Sequence, residues 1–139
     1  MNDQSTDQKI REWLFFAEED LKLANIALEA KIFHGACFHA QQAVEKTIKA
    51  YLFKKHGKVR KIHHLTGLLD TDLNIKQEFS ELMDSIEFLD QFYIPTRYPD
   101  AFPGSLPEGL PTEEDARKAL DYAQQIVDFI KGKLNAARS

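Results

Sequence analysis

The residues of this sequence best suited to binding or catalysis lie between positions 38 and 64, on one predicted helix and in the basic loop after it. His39, Gln42 and Lys46 recur at intervals of three and four residues, so they share one face of that helix. Phe38 and Phe53 border this face. An imidazole, an amide and an ammonium group beside aromatic rings could hydrogen-bond a nucleotide base or a phosphate. The same face also suits packing against a neighbouring helix or another protein, and the residues leave both interpretations open.

The loop after this helix supplies a second set of candidates, an arginine and two adjacent histidines. Arg60 could stabilise the charge of a phosphoryl transition state while His63 or His64 moves a proton. The segment from Lys46 to Gly67 carries seven basic residues and no acid, although the whole chain has a net charge of −4. A positive region of this kind indicates binding of phosphates or of an acidic partner, or else a solvated face.

One carboxylate falls where a charge is unexpected. Asp90 lies inside the apolar stripe of a later predicted helix, and burying it alone would be costly. We expect Arg97 to pair with it and to tie the following loop to the fold, with Lys46 and His39 as the alternative partners. A structural ion pair is favoured here over a catalytic carboxylate.

The histidines and the single cysteine do not have the spacing of a metal site. His34 and His39 are five residues apart on a helix, His63 adjoins His64, and Cys37 falls on an apolar stripe. The sequence contains no glycine-rich phosphate loop, no G-x-S-x-G and no H-E-x-x-H motif. We therefore expect no metal, no cofactor and no catalytic site of a familiar motif.

Length and composition predict one folded domain. The 139 residues, 43% of them hydrophobic, are enough to bury a core. The chain lacks an apolar run of the ~18–20 residues that a membrane span requires, and its charged beginning does not resemble a secretory signal. A single cysteine suits a reducing compartment. We expect a soluble, cytoplasmic protein that does not enter a membrane.

Hydrophobic periodicity predicts an all-α protein. The helices are expected over about Asp7–Ala30, Phe33–His56, a short stretch of "HLTGLLD", Lys76–Ile94, and from Thr112 onward. They form an up-and-down four-helix bundle with one additional short helix, in a single domain over residues 7–139 that follows a flexible tail, residues 1–6. Phe16, Leu23 and Ala27 add a second apolar strip to the first helix, which indicates an interface or a position between other helices. The loop over residues 95–111 carries all five prolines, and its length suggests a functional or docking role.

Four segments of the sequence resemble the HEPN family: "AEEDLKLA", "FHGACFHAQQAVEKTIKAYL", "HHLTGLL" and "LDQFYIPTRYPDA". The resemblance runs from about Ala17 into the last helix and implies a five-helix bundle that is usually a homodimer. It also implies a minimal nucleotidyltransferase as partner, because small prokaryotic members are commonly encoded beside one. A second HEPN branch comprises ribonucleases, often toxins, with an Arg, four to six intervening residues and a His. No arginine here completes that motif, and Arg60 lies too close to His63 and His64.

The leading hypothesis is a non-catalytic HEPN module that binds a nucleotide or a nucleic-acid phosphate and works with a minimal nucleotidyltransferase, including in a toxin–antitoxin pair. Its predicted ligand-binding residues are His39, Gln42, Lys46, Tyr93, Arg97 and Tyr98. Arg97 would clamp phosphate, the tyrosines would stack on a base, and Gln42 would hydrogen-bond the edge of that base. One alternative is a ribonuclease that uses Arg60 with His63 or His64. The other is a structural protein whose aromatic and polar face serves only dimerisation or complex formation.

Overall fold

The structure of the protein, a computed structural model, describes residues 3–93 and 109–138, and within these ranges every regular element is helical. The elements are α1 (Asp3–Glu29), α2 (Phe33–His56), α3 (Leu65–Leu69), α4 (Leu73–Glu78), a 3₁₀ turn (Ser80–Leu82), α5 (Met83–Asp90) and α6 (Glu113–Arg138). The all-α prediction is confirmed. Helices α1, α2 and α6 are three members of the bundle, α4 to α5 form the fourth, and α3 is the additional short helix.

Local capping signals set two helix ends where the sequence predicted them. Helix α2 ends at His56 because Gly57 adopts a left-handed φ of +72° and its N–H donates to the carbonyl of Phe53 at 2.8 Å. Thr112 and Asp115 form a capping box before α6. The Thr112 hydroxyl accepts from the Asp115 N–H at 3.1 Å, and the Asp115 carboxylate accepts from the Thr112 N–H at 3.0 Å.

Two predicted boundaries differ from the structure. Helix α1 begins at Asp3 and not after Asp7, so residues 3–6 of the predicted tail are helical. The prediction of one continuous third long helix is wrong, because the backbone departs from helical angles at Phe79 (ψ 10°) and Leu82 (ψ 3°). Phe79 at this bend is fully buried and packs edge to face on Phe129 at a centroid distance of 5.2 Å. Core packing at Phe79 therefore outweighs the helical pattern of the segment.

Helix α2 lies at the centre of the fold and contacts α1, α3, α5 and α6. Alanines at 36, 40 and 43 are fully buried and allow α2 to lie close to its neighbours. The central position also buries four polar residues of α2, namely Gln41, Glu45, Thr47 and Lys49. Because a buried polar group must find partners inside the protein, these residues organise the surrounding contacts. Within the described ranges no helix is long and apolar enough to cross a membrane.

Candidate functional site

Glu45 is a buried carboxylate of α2 that organises the polar side chains around it. Its Oε2 accepts from the Lys49 ammonium at 2.8 Å and lies 3.0 Å from Nδ1 of His63, and its Oε1 accepts from the Gln42 amide at 3.1 Å. The amide of Gln41 donates to the backbone carbonyl of His63 at 3.2 Å. Both the ring and the backbone of His63 are therefore held against α2. A carboxylate facing Nδ1 favours the proton on that nitrogen and leaves Nε2 for solvent or a ligand.

Asp20 of α1 binds two of the predicted ligand-binding residues. One oxygen of its buried carboxylate lies 2.9 Å from Nδ1 of His39, and the other accepts a hydrogen bond from the Lys46 ammonium. The side chains of His39 and Lys46 remain 31% and 27% exposed, so each keeps a polar edge at the surface. The structure thus pairs both residues with Asp20, although the sequence offered them as alternative partners of Asp90. In this arrangement they hold α1 against α2.

Asp90 binds the start of α3. Its carboxylate accepts from the N–H of Leu65 at 2.7 Å, the N–H of Thr66 at 3.2 Å and the Thr66 hydroxyl at 2.8 Å. The imidazole of His64 is also close, with Nδ1 lying 3.7 Å from Oδ1 of Asp90. These contacts explain how a carboxylate is tolerated in an apolar stripe. Arg97, its predicted ion-pair partner, lies outside the described residues, and that pair stays a prediction.

Tyr93 lies between the two histidines of the loop. Its ring stacks on His63 with centroids 5.7 Å apart and an interplanar angle of 8°, and it meets His64 edge to face at 4.8 Å. The structure thus brings one predicted ligand-binding residue, Tyr93, against the two histidines of the ribonuclease alternative. Tyr98 lies outside the described residues, as Arg97 does.

The basic loop borders an open cleft of about 460 Å³ between α1 and α2. The cleft is lined by Lys9, Trp13, Lys49, Phe53, Val59, Arg60, Lys61 and His63. Of the described residues, no acidic one belongs to this lining, and Trp13, Phe53 and Val59 are its apolar members. The Lys49 ammonium forms an ion pair with Glu45 and also lies 5.7 Å from the centroid of the Trp13 ring. Lys9, Arg60 and Lys61, by contrast, form no ion pair with any residue in the described part of the chain.

The cleft contains some predicted residues and some that the sequence did not indicate. Arg60 and His63 line it, whereas His64 does not. Lys9 and Trp13 were not predicted, because they lie on α1, more than forty positions before the loop. Their spacing of four residues places both on one face of α1, which is the signal that could have found them.

The cysteine is not available as a nucleophile. Cys37 is fully buried between the helices, and burial raises the pKa of its thiol to about 12, with the negative charge of Asp115 adding to the rise. Among residues 3–93 and 109–138, no group of three or more His, Cys, Asp or Glu side chains is placed to hold a metal ion. The chemistry of the candidate site therefore depends on its cations, the imidazole of His63 and the aromatic side chains of Trp13 and Phe53.

These features define a class of protein: a single all-helical bundle whose central helix holds a basic loop against an open cleft. Residues 10–133 match the family model of the HEPN domain. The chain belongs to the HEPN domain family, which confirms the resemblance seen in the sequence.

Relatives of known sequence or structure agree with this assignment. The chain is 32% identical over 124 residues to MJ1304 of Methanocaldococcus jannaschii, a protein named as a candidate toxin, and the match covers 83% of this chain and 81% of that one. The crystal structure of TT1696 from Thermus thermophilus is similar with a TM-score of 0.73 and 35% identity over 90% of this chain and 98% of that chain. The crystal structure of ST0689, an archaeal HEPN homologue, is similar with a TM-score of 0.69 and 30% identity over 89% and 96% of the two chains.

Proposed function

We propose that this HEPN protein binds a phosphate-bearing ligand, a nucleotide or single-stranded RNA, in the cleft between α1, α2 and the basic loop. The observation that carries the proposal is the lining of the cleft, where Lys9, Arg60 and Lys61 have no acidic partner within the described residues. Unneutralised cations around a concave surface attract phosphate even on a chain of net charge −4. The aromatic rings of the lining, Trp13 and Phe53, offer surfaces for a base.

The ligand-binding role is proposed for a non-catalytic module that works with a minimal nucleotidyltransferase in a toxin–antitoxin setting, as a homodimer in the cytoplasm. Membership of the HEPN family and the similarity to a candidate toxin support this setting. The sequence predicts His39, Gln42, Lys46, Tyr93, Arg97 and Tyr98 as ligand-binding residues. The first four do not line the cleft, and Arg97 and Tyr98 lie outside the described residues, so the cleft proposal depends on Lys9, Arg60 and Lys61. The contacts of His39 and Lys46 with Asp20 give those two residues a structural role as well.

Binding can be measured without a label, because Trp13 is the one tryptophan of the sequence and lines the cleft. We expect titration with ATP or a short single-stranded RNA to change its fluorescence. Reversing two charges of the lining, Arg60→Glu with Lys61→Glu, should weaken binding at least about tenfold. A matched control, Lys54→Glu with Lys55→Glu, makes the same change of charge outside the cleft and should weaken binding less than about threefold. Equal effects of the two pairs, or negligible binding by the unmodified protein, would contradict the proposal.

The predicted Arg97 clamp is tested separately by Arg97→Ala. If Arg97 binds phosphate bidentately, this variant loses affinity for ATP under conditions where circular dichroism shows that both proteins are folded. Unchanged affinity removes Arg97 from the ligand-binding set and leaves the cleft proposal standing on Arg60 and Lys61.

A second candidate function, ribonuclease activity, is favoured by one specific contact. The buried Glu45 orients the imidazole of His63, whose Nε2 could take the proton of a ribose 2′-hydroxyl as that oxygen bonds to phosphorus. Arg60 would stabilise the phosphorane-like charge, and the P–O5′ bond would then break as the 5′-oxygen takes a proton from the imidazolium. His64 faces Asp90 and Tyr93 and does not line the cleft. Cleavage of a labelled RNA should therefore be abolished by His63→Ala and retained by His64→Ala. Absence of cleavage by the unmodified protein, or equal activity in His63→Ala, would eliminate this candidate.

A further inference from the structure

Helix α1 carries an exposed apolar strip on its solvent-facing side. Phe15, Phe16, Leu23 and Ile26 are 58%, 53%, 45% and 61% exposed, and Ile32 just after the helix is 48% exposed. These five are most of the seven large hydrophobic residues exposed in the described part of the chain. Together they present roughly 500 Å² of apolar surface, an area that on a soluble protein marks an interaction site.

The strip has the spacing of a helix–helix seam. Phe15, Glu19, Lys22 and Ile26 follow each other at intervals of four, three and four residues, which places them on one stripe of α1. Phe16 lies along one edge of that stripe. Glu19 and Lys22 are exposed at the centre of the seam, and neither forms an ion pair with a residue of the described ranges. Two unpaired opposite charges flanked by apolar side chains are complementary to a second seam of the same kind.

We propose that a second copy of this chain docks on the strip, with the two α1 helices antiparallel. Phe15 then packs against Ile26 of the partner subunit, and Glu19 meets Lys22 of the partner subunit. The two pairs share one midpoint, between Asp20 and Leu21, so a single two-fold axis forms each contact twice. A parallel arrangement would instead place Glu19 against Glu19 and Lys22 against Lys22, and like charges in a seam are unfavourable.

The reciprocity of the pattern favours a second copy of this chain as the occupant of the strip. An unrelated partner needs only apolar surface and gives no reason for apolar and charged pairs to share one midpoint. The roughly 500 Å² of apolar surface is more than half of the roughly 800 Å² that each partner buries in a standard interface. The inference deepens the homodimer part of the proposed function and is independent of ligand binding in the cleft.

Charge reversal tests the arrangement directly. Sedimentation equilibrium over about 1–100 µM protein should show that Glu19→Lys and Lys22→Glu each raise the dissociation constant of the dimer at least about tenfold. The chain carrying both changes should return to within about threefold of the unmodified protein, because each ion pair is formed again with reversed sign. For the apolar pair, Ile26→Ala should weaken the dimer, whereas Leu73→Ala, a change at a similarly exposed position on α4, should not.

The outcomes separate this inference from the proposed function. A dimer that is insensitive to the single reversals, or is not restored in the double variant, overturns the α1 interface while the homodimer stands. A strict monomer at about 100 µM overturns both and assigns the strip to a different protein. All the substituted side chains are exposed, and matching circular dichroism melts establish that each variant is folded. ATP titration followed by Trp13 fluorescence should give the same affinity in Leu73→Ala and Ile26→Ala, so failure of ligand binding counts only against the cleft.

Discussion

The anchoring of α3 by Asp90 leads to a quantitative prediction for the variant Asp90→Ala. The Asp90 carboxylate accepts three hydrogen bonds, from two backbone N–H groups and one hydroxyl, and its side chain is only 14% exposed. The substitution removes all three acceptors at once. It leaves the N–H groups of Leu65 and Thr66 unpaired at a partly buried helix start, where water reaches them poorly.

The expected loss follows from the kind and number of these bonds. Loss of a helix N-cap costs about 0.5–2 kcal/mol, and a hydrogen bond to a charged group contributes about 1.5–3 kcal/mol. Because these contributions overlap and solvent partly replaces them, we expect Asp90→Ala to lower the free energy of unfolding by about 3 kcal/mol. Asp90→Asn keeps an acceptor oxygen without the charge and should lose about half as much.

Urea unfolding followed by circular dichroism measures both values. Glu87→Ala is the matched control, because Glu87 is an exposed acid on the same helix, and its loss should stay within about 0.5 kcal/mol. Thr66→Val should be less than additive with Asp90→Ala, since each removes the same hydroxyl hydrogen bond. A loss for Asp90→Ala no larger than that of Glu87→Ala would refute the assignment of Asp90 as the anchor of α3.

Three further predictions concern the helix start at α4, the buried thiol and the division between structural and binding lysines. The hydrogen bond from the Ile75 N–H lowers the pKa of Asp72 in the folded protein below its ordinary value of 3.8. The roughly 1 kcal/mol of stability that this helix cap contributes is therefore fully present above pH 3.8 and is lost as the pH falls through the lower pKa of the folded state. Urea unfolding of Asp72→Ala should therefore show a deficit at neutral pH that disappears in acid. Cys37 should react with iodoacetamide only after unfolding, and fast labelling of the native protein would contradict its burial. Lys46→Met should cost about 1–3 kcal/mol of stability and Lys61→Met less than about 0.5 kcal/mol, whereas ATP affinity should fall more for Lys61→Met.

The parts of the fold that the sequence predicted are those set by local signals. The end of α2 depends on Gly57, and the start of α6 depends on Thr112 and Asp115, all of which act within one turn of the helix. The bend at Phe79 depends instead on distant residues such as Phe129, fifty positions later, against which its ring packs. Neither proline nor glycine occurs at this bend, so helical periodicity continues through it.

The sequence indicated which polar residues of α2 are unusual, but it did not indicate which residues they contact. The pattern of α2 singled out His39 and Lys46 as unusual polar groups, and the structure pairs both with Asp20. That partner, Asp20, lies nineteen positions before His39. Helical periodicity separates it from Glu19, which lies opposite the apolar stripe of α1, but not from Glu18, which borders that stripe as Asp20 does. Only the close approach of α1 to α2 makes Asp20 the one that is buried.

The arrangement of charges explains why the proposed binding function falls to the loop and α1 more than to α2. Two buried carboxylates, those of Asp20 and Glu45, form ion pairs with the ammonium groups of Lys46 and Lys49 on α2. A neutralised cation contributes less to the field at the surface than a free one, since its charge is offset at short range. The positive potential of the cleft must then come chiefly from Lys9, Arg60 and Lys61. Helix α2 therefore serves as the scaffold that fixes the loop, and the loop provides the charge that a phosphate would meet.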